Sequence, residues 1–224
     1  MEQRQILSPG QFDDRELSAD FVARRLAARG PIRDIADPPP PHGDHDLNPH
    51  ILRDETRPLT PASVLVPLIT HAAGLTVLLT QRTLTLADHA GQIAFPGGRQ
   101  EPTDIDAVEA ALRETEEEIG LPRALVRLIG RLDTYVTGTR FSITPVVGLI
   151  APPFPLEPDP VEVADVFEVP LAFIADPANH QRHCREYQGR MRYYYVIPYE
   201  ERNIWGATAG MLVNLARLLA PERA

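Results

Sequence analysis

Hydrophobic positions fall into short blocks whose spacing changes along the chain from about two residues to about 3.6, and the predicted elements follow that change. Residues 62–69 and 75–80 are rich in Val, Leu, Ile and Thr and are separated by a turn at 71–74, which predicts two paired strands. Residues 92–95 read as a short strand ending at Pro96, Gly97 and Gly98. Residues 106–119 carry helical periodicity, stopped by Gly120 with Pro122 beyond it. Residues 125–136 and 143–150 read as strands, 168–169 as the end of another, and 171–175 as a short helix. Residues 191–197 then read as a strand and 204–219 as a closing helix. Ahead of the body, residues 20–28 form a short helical pattern with Ser18 as candidate cap. Strands arrive in bunches around two principal helices, which points to an α+β fold with a mixed sheet between helices rather than a regular βαβ array.

Proline divides the chain. Four prolines occupy positions 38–41, and a second cluster falls at Pro152, Pro153, Pro155, Pro158 and Pro160. Residues 1–58 therefore read as an N-terminal extension with a proline-rich linker, and 59–224 as the main domain. His42, His45 and His50 lie in the linker and read as solvated loop histidines rather than metal ligands.

Composition removes several chemistries. The chain has 224 residues, 31 acids against 22 bases, and a formal net charge of −9. Every base is arginine, which excludes a lysine Schiff base, a lysine nucleophile and a phosphate-loop lysine. Arginine remains, and its planar fork suits phosphate. Net acidity argues against nucleic acid as a partner. The one cysteine, Cys184, excludes internal disulfides and reads as a bystander thiol. No stretch approaches the roughly 18 apolar residues of a membrane span. The N-terminus has neither the charged start nor the apolar run of a signal peptide, so a cytoplasmic protein is expected.

The acids are not evenly spread. Residues 97–121 hold eight acids against two bases, a net charge of −6. At about 100° per residue, Glu114, Glu117 and Glu118 fall within an arc of about 100°. Val108, Leu112 and Ile119 form the core stripe beside that arc, and Glu109 and Glu116 fall on the solvated side. Three like charges on one face repel one another. Either they pair with distant arginines or they hold a hard cation, for which Mg²⁺ suits carboxylates shared with phosphates. Ala107 and Ala110 share the carboxylate face and are expected to leave room above it.

With its Gly-Gly approach and glycine stop, the segment Arg-Glu-Thr-Glu-Glu-Glu-Ile-Gly-Leu at 113–121 resembles the second half of the Nudix hydrolase box. The resemblance implies a Nudix-type α/β/α sandwich over residues 59–224. It also implies Mg²⁺ or Mn²⁺ held by Glu114, Glu117 and Glu118, with Arg113 orienting these carboxylates. Two departures stand out. Thr115 replaces a hydrophobic residue, and counting back from Arg113 puts Arg99 at the box glycine and Ile105 at its first glutamate. The loop is one residue longer than usual, and Asp104 and Glu101 are both candidates for the missing acid.

Immediately upstream, residues 78–98 (LLTQRTLTLADHAGQIAFPGG) resemble the signature of the coenzyme A pyrophosphatase branch. Arg82, His89, Gly91, Gln92, Phe95, Pro96, Gly97 and Gly98 match it, and Thr83 stands where serine is common. The implied activity is hydrolysis of the pyrophosphate of coenzyme A and its thioesters to 3′,5′-ADP and 4′-phosphopantetheine or its acyl form. Arg82, His89, Gly97, Gly98 and Arg99 are the implied substrate contacts. Glu117, Glu118, Arg113 and Glu162 are the catalytic candidates, with Glu117 and Glu162 as alternative general bases. Trp205 reads as core rather than as an adenine platform. The resemblance is also compatible with a homodimer. Two other readings stay open: a Nudix pyrophosphatase for another nucleoside diphosphate such as ADP-ribose or NADH, and a catalytically silent ligand sensor. The intact Arg-Glu-x-x-Glu-Glu core speaks against the sensor.

Overall fold

The computed structural model describes residues 17–28, 30, 42–49, 58–86, 89–187 and 189–221. Its centre is β2 (Thr60–His71), which pairs antiparallel with β3 (Gly74–Arg82) and parallel with β8 (Phe141–Ile150). Around these lie β1 (His42–Gly43), β4 (Ile93–Ala94), β5 (Gly97–Arg99), β6 (Arg127–Arg131), β7 (Tyr135–Val136) and β9 (Val163–Pro170), completing a mixed nine-stranded sheet. A separate antiparallel sheet comprises β10 (Gln181–Tyr187), β11 (Arg190–Tyr199) and β12 (Arg202–Trp205).

Both faces of the large sheet are covered, which is why β2 is a nearly unbroken apolar run. Leu65 and Ile69 face one core together with Val108, Ala111 and Ile119 of helix α2 (Ala107–Ile119). Val66 and Leu68 alternate to the opposite core, shared with α1 (Ala19–Ala27), α3 (Leu171–Ala175) and α4 (Gly206–Leu219). The result is the expected sheet between helices.

Several elements differ from the sequence expectation. Residues 125–136 do not make one strand: β6 shifts register against β8 between Leu128 and Gly130, and 132–134 separate it from β7. Strand β9 is eight residues long rather than a two-residue end. Strand β10 was not expected, because all but one of its residues are exposed and no apolar alternation marks it. Helix α4 starts at Gly206, since residues 202–205 pair with β11 as β12.

The described parts of the N-terminal extension are integral to the body. Ser18 caps α1 through Phe21 N–H, and Leu17, Val22 and Leu26 are buried in the α4-side core. Arg25 donates to the carbonyls of Leu218 and Ala220 at the end of α4. His42–Gly43 pairs in parallel with Tyr135–Val136, and Asp44 accepts from Tyr135 Oη, Gly138 N–H and Arg192. The prolines at 38–41 and His50 lie outside the described residues. No helix among the described residues is long and apolar enough to cross a membrane.

Leu26 packs so closely on β6 that a Cβ added at Gly130 would lie 2.5 Å from its own Cβ. Leu26→Ala is expected to cost roughly 3 kcal/mol of unfolding free energy in urea denaturation. An unchanged midpoint would show that α1 does not share the core.

Candidate active site

The acidic face of α2 lies beneath β5. Asp106 caps the helix through Glu109 N–H, and Gly120 ends it in a left-handed turn at φ 66°. Strand β5 fits between β2 and α2 because Gly97 and Gly98 have no side chains. A Cβ on Gly97, whose φ is 149°, would lie 2.4 Å from the Ser63 carbonyl oxygen. One on Gly98 would lie 2.5 Å from the Glu114 carboxylate. Ala107 and Ala110 are fully packed, which corrects the expectation of free space above them: small residues there permit close approach rather than leave a void.

Arg113 organises the carboxylates. Its Nε and Nη2 donate to the two oxygens of Asp104, each at 2.9 Å. Its Nη1 donates to Glu114 Oε1 at 2.9 Å and Glu117 Oε2 at 3.0 Å, and Nη2 also reaches the Arg99 carbonyl at 3.2 Å. Asp104 is therefore the acid that meets Arg113, while Glu101 meets Asp104 through its backbone, donating its N–H to the carboxylate and accepting from Asp104 N–H. The spacing held a signal for this: Asp104 follows Gly98 after five residues, so the extra residue lies between Asp104 and Arg113. The Asp104 carboxylate is 3% exposed, and the Arg113 hydrogen bonds hold its pKa below the usual value.

Glu118 is the most enclosed of the α2 acids. Gly97 N–H donates to its Oε2 at 3.1 Å, and Arg82 Nη1 lies 3.6 Å from Oε1. Burial pushes its pKa up to about 7, and Glu162 and Glu114 add repulsion that Gly97 and Arg82 only partly offset. Burial also raises Glu114, against the pull of Arg113. Glu117 is 61% exposed and turned onto Arg113. Glu109 and Glu116 both pair with Arg123 on the solvated face, as the helical angles indicate. Thr115 is buried and donates its hydroxyl to the Ala111 carbonyl, which lets it fill a hydrophobic position.

The second proline cluster leads into the site. Glu157 and Asp159 donate their N–H groups to the carbonyls of Ile119 and Glu118, so this loop caps α2. It continues to Glu162, whose carbonyl accepts from Thr83 N–H and whose carboxylate, 45% exposed, is 4.0 Å from Arg82. Arg82 keeps its Nε buried without a hydrogen-bond partner. The remaining predicted contacts stand apart. His89 is exposed and bonds Gln92 through Nδ1, and the exposed Arg99 side chain lies over the Phe141 ring. Trp205 is half-buried, edge-on to Tyr194 and under the Arg185 guanidinium, rather than in the core.

A family model described as NUDIX domain matches residues 59–189, more than half of the chain. The chain belongs to the Nudix family. It is 37% identical over 180 residues to the uncharacterized Nudix hydrolase NudL of Photorhabdus laumondii subsp. laumondii, covering 80% of this chain and 90% of that protein. It is 41% identical over 171 residues to the protein of the same description from Escherichia coli K12, covering 76% and 88%. Among solved structures, an Ap4A hydrolase of C. elegans aligns with TM-score 0.43 and 21% identity over 50% of this chain and 81% of that one. The Nudix hydrolase RenU of M. smegmatis aligns with TM-score 0.43 and 23% identity over 53% and 75%.

Nudix hydrolases generally use divalent metals. Among the described residues, no three His, Cys, Asp or Glu side chains converge at ligating spacing, and Glu114 and Glu117 are both turned onto Arg113. The donor set nonetheless fits a hard cation: it is all carboxylate oxygen, and Glu118 and Glu114 carry raised pKa values that a positive charge would reverse.

The pH dependence of the metal-free Nudix protein follows. Between the usual 4.5 and about 7, folded Glu118 keeps a proton that the unfolded chain has lost. Stability is thus present at acid pH and falls as pH rises through that window, by on the order of 3 kcal/mol. Glu118→Gln retains an acceptor for Gly97 N–H and removes the Glu118 share of the decline, leaving only the share of Glu114. Urea denaturation in chelator at pH 5 and pH 8 checks this; equal losses in both proteins would contradict it.

Proposed function

We propose that this Nudix hydrolase cleaves the pyrophosphate of coenzyme A and its thioesters, releasing 3′,5′-ADP and 4′-phosphopantetheine or its acyl form. The observation that carries this reading is the setting of Arg82. Its guanidinium lies beside Glu118 and Glu162 with a buried, unpartnered Nε, and it belongs to the stretch 78–98 that resembles the coenzyme A pyrophosphatase signature. A guanidinium with spare donors next to clustered carboxylates is suited to a phosphate oxygen.

In this reading Glu114, Glu117 and Glu118 hold Mg²⁺ or Mn²⁺. The bound cation supplies charge stabilisation at the pyrophosphate and lowers the pKa of water. Arg113, with all its donors directed to Asp104, Glu114, Glu117 and the Arg99 carbonyl, is a positioning residue rather than a phosphate ligand. Glu162 and Glu117, both solvent-accessible, are the carboxylates able to take a proton from attacking water. The water oxygen bonds to one phosphorus while the bridging P–O bond breaks, and the bridging oxygen leaves with the other phosphate. Gly97 and Gly98 keep the β5 backbone close to the α2 carboxylates, where the pyrophosphate would lie. His89 and Arg99 would serve as donors toward the nucleotide phosphates on leaving their contacts with Gln92 and Phe141. Coenzyme A is a soluble intracellular cofactor, so the reading puts the activity in the cytoplasm.

A panel of coenzyme A, acetyl-coenzyme A, dephospho-coenzyme A, ADP-ribose and NADH, assayed with Mg²⁺ and Mn²⁺, tests the substrate. Release of 3′,5′-ADP from coenzyme A is expected at the highest kcat/KM. Faster turnover of ADP-ribose or NADH overturns it, and binding without turnover points to a sensor. Glu118→Gln is expected to lower kcat at least about a hundredfold with the fold retained. Arg82→Ala is expected to raise KM about tenfold, as loss of a charged hydrogen bond to phosphate requires.

A further inference from the structure

Strand β10 forms one edge of the three-stranded sheet, and among the described residues no strand pairs with its outer side. The direction of its unpaired groups can be deduced. Asn48 accepts from Tyr193 N–H and donates to the Tyr193 carbonyl, continuing the β12 side of β11 beyond the end of β12. The backbone groups of Tyr193 therefore point away from β10, so Cys184, its opposite residue, is in a non-hydrogen-bonded pair. By alternation, the N–H and C=O groups of Arg182, Cys184 and Glu186 all project from the free edge.

We propose that this edge pairs antiparallel with β10 of a second copy of the chain, about a two-fold axis at Cys184. In that register Cys184 faces its own counterpart, and Arg182 of each copy faces Glu186 of the other. Six backbone hydrogen bonds and two opposite-charge pairs form together. The charge pattern selects the register: an axis at Arg185 would set two guanidinium groups against each other, and an axis at His183 would leave Glu186 without its arginine. Tyr193 and Met191 stand opposite Cys184 and Glu186 on β11, 40% and 46% exposed, and lie along the strip that a second copy would flank. Charged side chains on an edge strand ordinarily discourage such pairing. Here the Cys184 register gains two Arg182–Glu186 pairs, at the cost of setting His183 opposite Arg185, and neither neighbouring register with its axis at His183 or Arg185 gains an arginine–glutamate pair.

The test uses the full chain and its single cysteine. Light scattering coupled to size exclusion is expected to show a dimer at micromolar concentration. A short bis-maleimide is expected to cross-link it through Cys184, because hydrogen-bonded antiparallel partners have Cα atoms about 5.5 Å apart. Arg182→Glu and Glu186→Arg each replace two attractive pairs by two repulsive ones and are expected to weaken dimerisation at least about tenfold, with cross-linking reduced in parallel. The double variant R182E/E186R restores the pairs and is expected to recover both readouts. A monomeric wild type, a dimer indifferent to the single changes, or a double variant that stays dissociated would each overturn the proposal. Unchanged thermal unfolding of the variants separates lost pairing from lost folding.

Discussion

The site depends on the charge balance around one guanidinium. Helix α2 carries five acids within ten residues, Glu109 to Glu118, and its folding would be opposed by their repulsion without local cations. Arg123 answers the solvated pair, Glu109 and Glu116. Arg113 answers the other side, where Asp104 takes its fork and Glu114 and Glu117 share the third nitrogen. An ammonium has three donors and no fixed plane, so it could not serve these partners together. The all-arginine composition has its clearest structural use here.

Backbone geometry turns that balance into a site. Glu118 is buried because β5 lies directly over it, and β5 can lie there only because Gly97 clears β2 and Gly98 clears Glu114. The same approach supplies Gly97 N–H to the Glu118 carboxylate. From the other side, the loop that caps α2 through Glu157 and Asp159 brings Glu162 up to Arg82. Burial and electrostatic repulsion thus come from three segments distant in sequence, and together they hold a carboxylate in an environment that favours its neutral form.

What the sequence made legible follows from which forces are local. Helix α2 was readable to within a residue because its cap, periodicity and glycine stop all lie inside it. Strand β2 was readable because burial on both faces leaves an apolar run. Strand β10 was not, since an exposed edge needs no apolar alternation and is held by its register with β11. The docking of residues 42–48 was equally hidden: it depends on Asp44 and Asn48 finding Arg192 and Tyr193 nearly 150 positions away. In the site, helical angles separated Glu116 from its neighbours correctly, but a wheel has no knowledge of β5. It therefore read Ala107 and Ala110 as space when they are contact.

The arginines differ in what remains available to a substrate. Arg113 is committed through all three nitrogens, and Arg123 is spent on two glutamates. Arg99 lends its carbonyl to the site while its side chain lies on Phe141. Arg82 is different: its contacts with Glu118 and Glu162 are long, and its Nε is buried without a partner. Burying a donor unsatisfied carries a cost of about 1–3 kcal/mol, and in the proposed function a phosphate on this guanidinium would offset part of it. The same anion would bring negative charge against Glu118 unless a cation accompanied it. In the proposed function, Arg82 and the α2 carboxylates would be complementary halves of one requirement, a phosphate that arrives together with its metal.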